Sequence, residues 1–180
     1  MEGPMSRSDC AGSELSLSAR ASEPFGEPGE GCGHRQLAPS LDGPKLIPAD
    51  PVEGARAEQW ISLVATHFDP VAARPYLAGY FFPGTADGSP DRARIGAAIP
   101  KLEAQLPVFD RAVARTGHLV GENFTLADAY LLPLLFYLEK MPESGPMLRK
   151  LPSLSGYLDR HLARPSVRAT IPPPLPSRPS

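Results

Sequence analysis

The chain has 180 residues, 23 of them proline and 16 glycine, and its formal net charge is −2. The proline share, about 13% against a usual ~5%, excludes a coiled coil. The nearly balanced charge gives no support for binding to nucleic acid or to an anionic membrane surface. Two cysteines make no disulfide framework, and no apolar run is long enough to cross a bilayer. A cytoplasmic protein is expected.

The two ends of the chain are predicted to lie outside the folded domain. Gly, Pro and Ser fill 19 of the first 44 positions, and only seven of those positions are Met, Leu or Phe. Such a segment buries too little apolar surface to offset the entropy lost on ordering, so residues 1–44 are predicted to be a disordered leader. Residues 172–180 are predicted to be an extended, proline-rich tail. The folded domain is expected to span residues 45–171.

A first long helix is predicted to begin after Asp50, because apolar residues recur there at helical spacing. Pro51 suits the first turn of that helix. Pro70 and Pro75 are predicted to kink or end it, since proline has no amide donor. Residues 76–91 then read as a loop with an aromatic first half.

A second helix is predicted from Asp91 to Gly117, with Pro100 and Pro107 bending or interrupting it. The third begins at Thr125, whose hydroxyl can cap the first turn while the carboxylate of Asp128 reaches back. Its body, residues 126–141, is apolar nearly all round, which predicts a central, buried helix.

A fourth helix is expected at residues 152–163 and a final turn at residues 166–170. No stretch reads as a strand. The predicted fold is therefore all-α, a bundle of about four to five helices in which the long helices are kinked.

Residue chemistry alone identifies no catalytic group. The four histidines (His34, His67, His118 and His161) have no second ligand at i+3 or i+4, so no metal site is predicted. The glycine-rich residues 26–33 lack the Lys-Ser/Thr ending of a phosphate loop. No cofactor is expected from these patterns.

Three motifs follow one another along the chain: KLIPADP at 45–51 with ARAEQW at 55–60, GHLVGENFTLADA at 117–129, and ARPS at 163–166. In this order they resemble the C-terminal domain of bacterial glutathione S-transferases. The resemblance implies conjugation of glutathione, the co-substrate, to a small hydrophobic electrophile. It also implies an all-α domain that lines the electrophile pocket and forms part of a subunit interface, so that a homodimer is one assembly it allows.

Enzymes of this family carry their thiolate-stabilising residue in an N-terminal thioredoxin-like domain. Residues 1–44 resemble only the end of that domain, at SLDGPK (40–45), so we expect a truncated chain that is inactive alone. Two other functions stay open. One is a non-catalytic helical interaction module, and the other is a non-functional gene fragment.

The resemblance suggests substrate-binding residues in two groups. Polar residues of the first helix would approach glutathione, or else form a solvated helix face: Ser62, Thr66 and Asp69. His67 beside them belongs to the same group, or else is a satisfied neutral histidine. Aromatic residues after that helix would wall the electrophile pocket or contact the other subunit, or else cover the protein's own core: Tyr76, Tyr80, Phe81 and Phe82. Thr125 and Asp128 are expected to be structural.

Overall fold

Residues 45–173, which a computed structural model describes, are helical and contain no strand. In chain order the helices are α1 (Pro51–Leu63), α2 (Asp69–Val71), α3 (Ala78–Phe81), α4 (Arg92–Val113), α5 (Leu126–Glu139), α6 (Ser144–Arg149), α7 (Pro152–Leu162) and α8 (Pro165–Arg168). The all-α prediction is confirmed. The predicted leader up to residue 44 and the tail from residue 174 onward lie outside the described residues.

The first three helices form one unbroken helical stretch, because two π-helical segments, Val64–Phe68 and Ala72–Leu77, join them. The prediction that residues 76–81 begin a loop is therefore wrong, and neither proline ends the stretch. Pro75 lies inside the second π-helical segment. A π turn spaces its hydrogen bonds at i→i+5, so the wider turn accommodates a residue that lacks an amide donor.

Helices α1 and α4 each begin after an aspartate whose carboxylate caps the first turn. Asp50 accepts hydrogen bonds from the amides of Val52 and Glu53 at 3.0 and 2.8 Å. Asp91 accepts one from the amide of Arg94 at 3.1 Å. Each cap satisfies amides that a first helical turn leaves without an intrahelical partner.

Helix α4 runs for 22 residues through Pro100 and Pro107, so of the bend or interruption predicted there, the interruption does not occur. Its last residue is Val113. Gly117 follows with a backbone φ of 83° and donates its amide to the Val113 carbonyl at 2.8 Å. That left-handed conformation closes the helix and favours glycine.

Helix α5 is the centre of the domain, as its all-round apolar sequence predicts. Leu131, Leu135 and Leu138 are fully buried on it. Helix α6 was not predicted, and it is fixed by Ser144, whose buried hydroxyl donates to the Leu138 carbonyl at 2.5 Å. Within the described part of the chain, no helix combines the length and apolarity that crossing a membrane requires.

Candidate functional site

An open, mostly apolar cavity of about 1090 Å³ lies on the described domain and is here called the groove. Three parts of the chain form most of it: residues 45–49, one face of α5 with the loop before it, and the C-terminal residues 162–172; Glu53 of α1 also lines it. Its apolar lining includes Leu46, Ile47, Val120, Phe124, Ala129, Leu132, Pro133, Phe136, Tyr137, Leu162, Val167 and Ile171.

The groove exists because α5 is apolar on more sides than its neighbours cover. The amide of Leu126 donates to the carbonyl of Leu46 at 2.8 Å, which fixes residues 45–49 beside the start of α5. On α5, Pro133 is exposed, and Phe136 and Tyr137 are only partly buried. An uncovered apolar face on a central helix is the pattern of a surface that another partner covers.

Charged groups of both signs border the groove. Lys45 and Arg164 are basic, and Glu53 and Glu122 are acidic. The guanidinium of Arg164 lies 4.7 Å from the centre of the Phe124 ring. The two basic and two acidic groups balance, so the groove is distinguished by its apolar lining rather than by net charge.

A buried carboxylate network supports the groove from the inside. Asp128 is fully buried, and its Oδ1 accepts hydrogen bonds from the Leu119 amide and the Tyr157 hydroxyl, each at 3.0 Å. Its Oδ2 accepts from the amide and the hydroxyl of Thr125 at 2.8 and 2.9 Å. Burial, together with the Asp128 carboxylate, raises the pKa of Tyr157 far above its ordinary value, so this phenol stays a donor. Thr125 and Asp128 form the capping box of α5.

Replacing Thr125 by alanine should lower the free energy of unfolding by about 0.5–2 kcal/mol, because α5 loses its N-cap. Thr125→Ser keeps the hydroxyl and should retain most of that stability. Urea unfolding of the two variants measures the difference. Equal stability of Thr125→Ala and the parent chain would show that the cap contributes nothing.

A second polar cluster joins α3, α4 and the residue before α6. The carboxylate of Glu143 accepts hydrogen bonds from the hydroxyls of Tyr76, at 3.0 Å, and Tyr80, and it pairs with Arg92 at 3.0 Å. The Tyr76 hydroxyl also accepts from the amide of Ser144 at 3.0 Å. The cluster therefore holds the aromatic end of the first helical stretch against α6.

The protonation states of this cluster indicate a structural role, in which Glu143 holds the two tyrosines, and no phenol activated for catalysis. Burial, helped by the neighbouring carboxylate, raises the pKa of Tyr80 to about 12. Burial also acts to raise the pKa of Glu143. The hydrogen bonds from Tyr80 and Tyr76 and the charge of Arg92 outweigh the effect of burial. The pKa of Glu143 therefore lies below its usual range. At neutral pH both phenols donate to an ionised carboxylate.

Replacing Glu143 by alanine should lower the free energy of unfolding by about 1.5–3 kcal/mol, because two phenols lose a charged acceptor. Glu103→Ala, at an exposed position of α4, should stay within about 0.5 kcal/mol. Thermal unfolding of both variants tests this, and equal melting temperatures would show that the Glu143 cluster does not stabilise the domain.

The structure places the predicted polar residues away from the groove. Ser62 and His67 line a smaller apolar cavity of about 430 Å³ between α1 and α4. The Thr66 hydroxyl lies 2.7 Å from both the Ser62 carbonyl and His67 Nδ1. Asp69 lies 3.8 Å from the exposed guanidinium of Arg74, a weak surface pair.

The predicted aromatic residues divide between the core, the groove and the surface. Tyr76 is fully buried and Tyr80 is partly buried, both in the Glu143 cluster. Phe81 packs edge-on against Tyr137 of the groove, with ring centres 5.6 Å apart. Phe82 is 76% exposed. The four aromatic residues therefore do not form a single wall.

Sequence reasoning missed the groove-lining residues Leu46, Phe124 and Phe136. A signal was present, since a helix that is apolar all round must be covered on every side. The sequence alone could not show which side of α5 the domain itself leaves open. In the described part of the chain, no group of three or more His, Cys, Asp or Glu residues could hold a metal ion.

Comparison with known proteins gives one family. The family model described as "Glutathione S-transferase, C-terminal domain" matches residues 68–165. Glutathione S-transferase 3 of Zea mays is 32% identical over 142 residues, which are 77% of this chain and 62% of that protein. Glutathione S-transferase F13 of Arabidopsis thaliana is 26% identical, over 65% of this chain and 52% of that protein. The chain thus spans between half and two thirds of the length of these relatives.

Solved structures agree with the sequence comparison. The apo structure of glutathione S-transferase III superimposes with a TM-score of 0.73 at 29% identity, covering 88% of this chain and 73% of that one. A theta-class glutathione S-transferase of Xanthomonas axonopodis pv. citri, solved with glutathione bound, gives a TM-score of 0.61 at 28% identity. The match covers 76% of this chain and 60% of that structure.

Proposed function

Because the chain belongs to the glutathione S-transferase C-terminal domain family, we propose that it supplies the helical half of a glutathione-conjugating enzyme. In this proposal a thioredoxin-like domain binds glutathione and lowers the pKa of its thiol. The thiolate attacks an electrophilic carbon of a small hydrophobic substrate. The helical half positions that substrate and keeps water away from it.

The groove is the observation that carries this proposal, and we assign it to the docking of the glutathione-binding domain. Its lining is aromatic and aliphatic, and it lies along the central helix of the domain. At its end, Ile171 is 43% exposed. Contiguous apolar surface of this extent marks an interaction site on a protein surface.

The aromatic residues at the end of the first helical stretch then lie at the edge of the docked domain. Phe81 contacts Tyr137 of the groove, and the exposed ring of Phe82 follows it. We propose that Tyr80, Phe81 and Phe82 wall the electrophile pocket. Tyr76 would support this wall without contacting the substrate, because its buried hydroxyl hydrogen-bonds to Glu143.

The polar face of the first helical stretch has a separate proposed role. Ser62, Thr66, His67 and Asp69 would contact glutathione held by the partner subunit of a homodimer. The exposure of Ser62, Thr66 and His67 supports this assignment. A cytoplasmic location belongs to the same proposal, because free glutathione thiol is maintained in reducing compartments.

Retention on immobilised glutathione tests whether glutathione binds the thioredoxin-like domain and not the helical domain. The purified 180-residue chain should pass through the column. It should be retained when it is mixed with the thioredoxin-like domain of a glutathione transferase. Retention of the chain alone would place a glutathione site within it and overturn the proposal. Passage of the mixture, when the added domain is itself retained, would favour a non-catalytic interaction module.

A further inference from the structure

Two histidines pack against each other between α7 and the loop that precedes α5. His161, on α7, is 1% exposed, and His118 lies in the loop with its ring centre 5.1 Å away. Neither ring nitrogen of His161 hydrogen-bonds to a protein group in the described structure, and neither does Nδ1 of His118. Buried nitrogens without partners favour two neutral imidazoles.

Aromatic rings surround His161 and leave a proton on it poorly solvated. The ring of Tyr157 lies 4.4 Å from that of His161, edge-on, and the ring of Phe124 lies 5.2 Å away. Phe124 belongs to the same loop as His118 and lines the groove. The histidine pair therefore joins α7 to the loop that forms one wall of the groove.

Two arginines near the pair add to the free-energy cost of protonating His161. Arg160 of α7 donates to the Gly117 carbonyl, and Arg164 lies over the Phe124 ring, so both bring positive charge close to the imidazoles. Asp128 of α5 is the opposing charge, and four hydrogen bonds already use its oxygens.

The protonation equilibrium follows from this environment. Burial lowers the pKa of His161 to about 4, against the attraction of Asp128, and His118 and the two arginines lower it further. Burial likewise lowers the pKa of His118. An exposed histidine has a pKa of about 6.5. Any state that exposes His161 thus binds protons more tightly than the closed state.

We propose that His118 and His161 form an acid-sensitive latch that holds residues 117–124 against α7 and closes one wall of the groove. The latch is fully closed above pH 6.5 and loosens as the pH falls toward 4. Its linkage has the sign of a group whose pKa is lowered in the closed state, so the stabilisation is lost on acidification. The inference does not depend on the proposed enzymatic function.

Amide hydrogen exchange at Leu119 tests the latch directly, because that amide donates to Asp128 at the base of the loop. With the pKa of His161 moving from about 6.5 when open to about 4 when closed, linkage predicts about 30-fold more opening at pH 5 than at pH 7.5. This factor applies after correction for the intrinsic pH dependence of exchange. The amide of Leu135, in the core of α5, should not follow it.

Two variants separate the latch from general acid sensitivity. His161→Phe fills the aromatic site without a titrating group and should remove most of the rise at Leu119, leaving only the share that comes from His118. His67→Gln, at an exposed histidine, should keep the full rise. A flat response in the parent chain, an equal rise at Leu135, or a full rise in His161→Phe would each overturn the latch.

A second measurement covers the case in which His161→Phe does not fold. The ring proton resonances of His161 in the parent chain should show no titration between pH 8 and pH 5.5, while the closed state persists. Titration with a midpoint near 6.5 would show that the ring is accessible and overturn the proposal.

Discussion

Replacing Asp128 by alanine should lower the free energy of unfolding by about 3–5 kcal/mol, an exceptional effect for one substitution. The carboxylate is fully buried and accepts four hydrogen bonds. Its removal leaves the amides of Leu119 and Thr125 and the hydroxyl of Tyr157 without an acceptor. Each buried donor left in that state costs about 1–3 kcal/mol. Urea unfolding followed by circular dichroism measures the loss.

The matched control is Asp159→Ala, which removes an exposed carboxylate from α7. Its effect should stay within about 0.5 kcal/mol. Asp128→Asn keeps one acceptor oxygen and should fall between the two. Parent-like stability of Asp128→Ala would mean that the network does not hold α5, the 117–124 loop and α7 together.

Replacing Ala129 by arginine should weaken docking of a thioredoxin-like domain by about 100-fold, or ~2.7 kcal/mol. Ala129 lines the groove on α5 and is partly buried. A long charged side chain there fills the groove and must lose its water when the domain docks, which costs free energy. Titration calorimetry with a separately purified thioredoxin-like domain measures the affinity.

Ala97→Arg is the control for this experiment, because Ala97 is exposed on α4 and does not line the groove. Both variants should fold, since each adds a side chain at a helical position without removing core contacts. The docking assignment predicts parent-like affinity for Ala97→Arg. If Ala129→Arg also docked with parent-like affinity, the groove would not be the docking surface.

The parts of the fold that the sequence predicted depend on contacts close together in the chain. Asp50 caps an amide three residues away, and Thr125 and Asp128 are also three apart. The π-helical turns around Pro75 were not predictable in this way. They contain Tyr76, whose hydroxyl partner Glu143 lies 67 residues further along the chain, so part of their environment comes from a distant contact.

The position of the groove also depends on a contact between residues that are distant in the chain, so it could not be predicted from local sequence. Its lining was readable as apolar sequence in α5, but its position follows from the contact between Leu46 and Leu126. These residues are distant in the chain, and no local pattern pairs them. The resemblance to glutathione S-transferases identified the family correctly, while the site residues chosen from it lie mainly outside the groove.

Turnover of a chromogenic electrophile, with glutathione present, tests the central claim most directly. The 180-residue chain alone should give no rate above the uncatalysed reaction. Addition of a thioredoxin-like domain should produce a glutathione-dependent rate that Ala97→Arg retains and Ala129→Arg loses. Conjugation by the purified chain alone would contradict the claim that its helices supply only the electrophile and docking half of the enzyme.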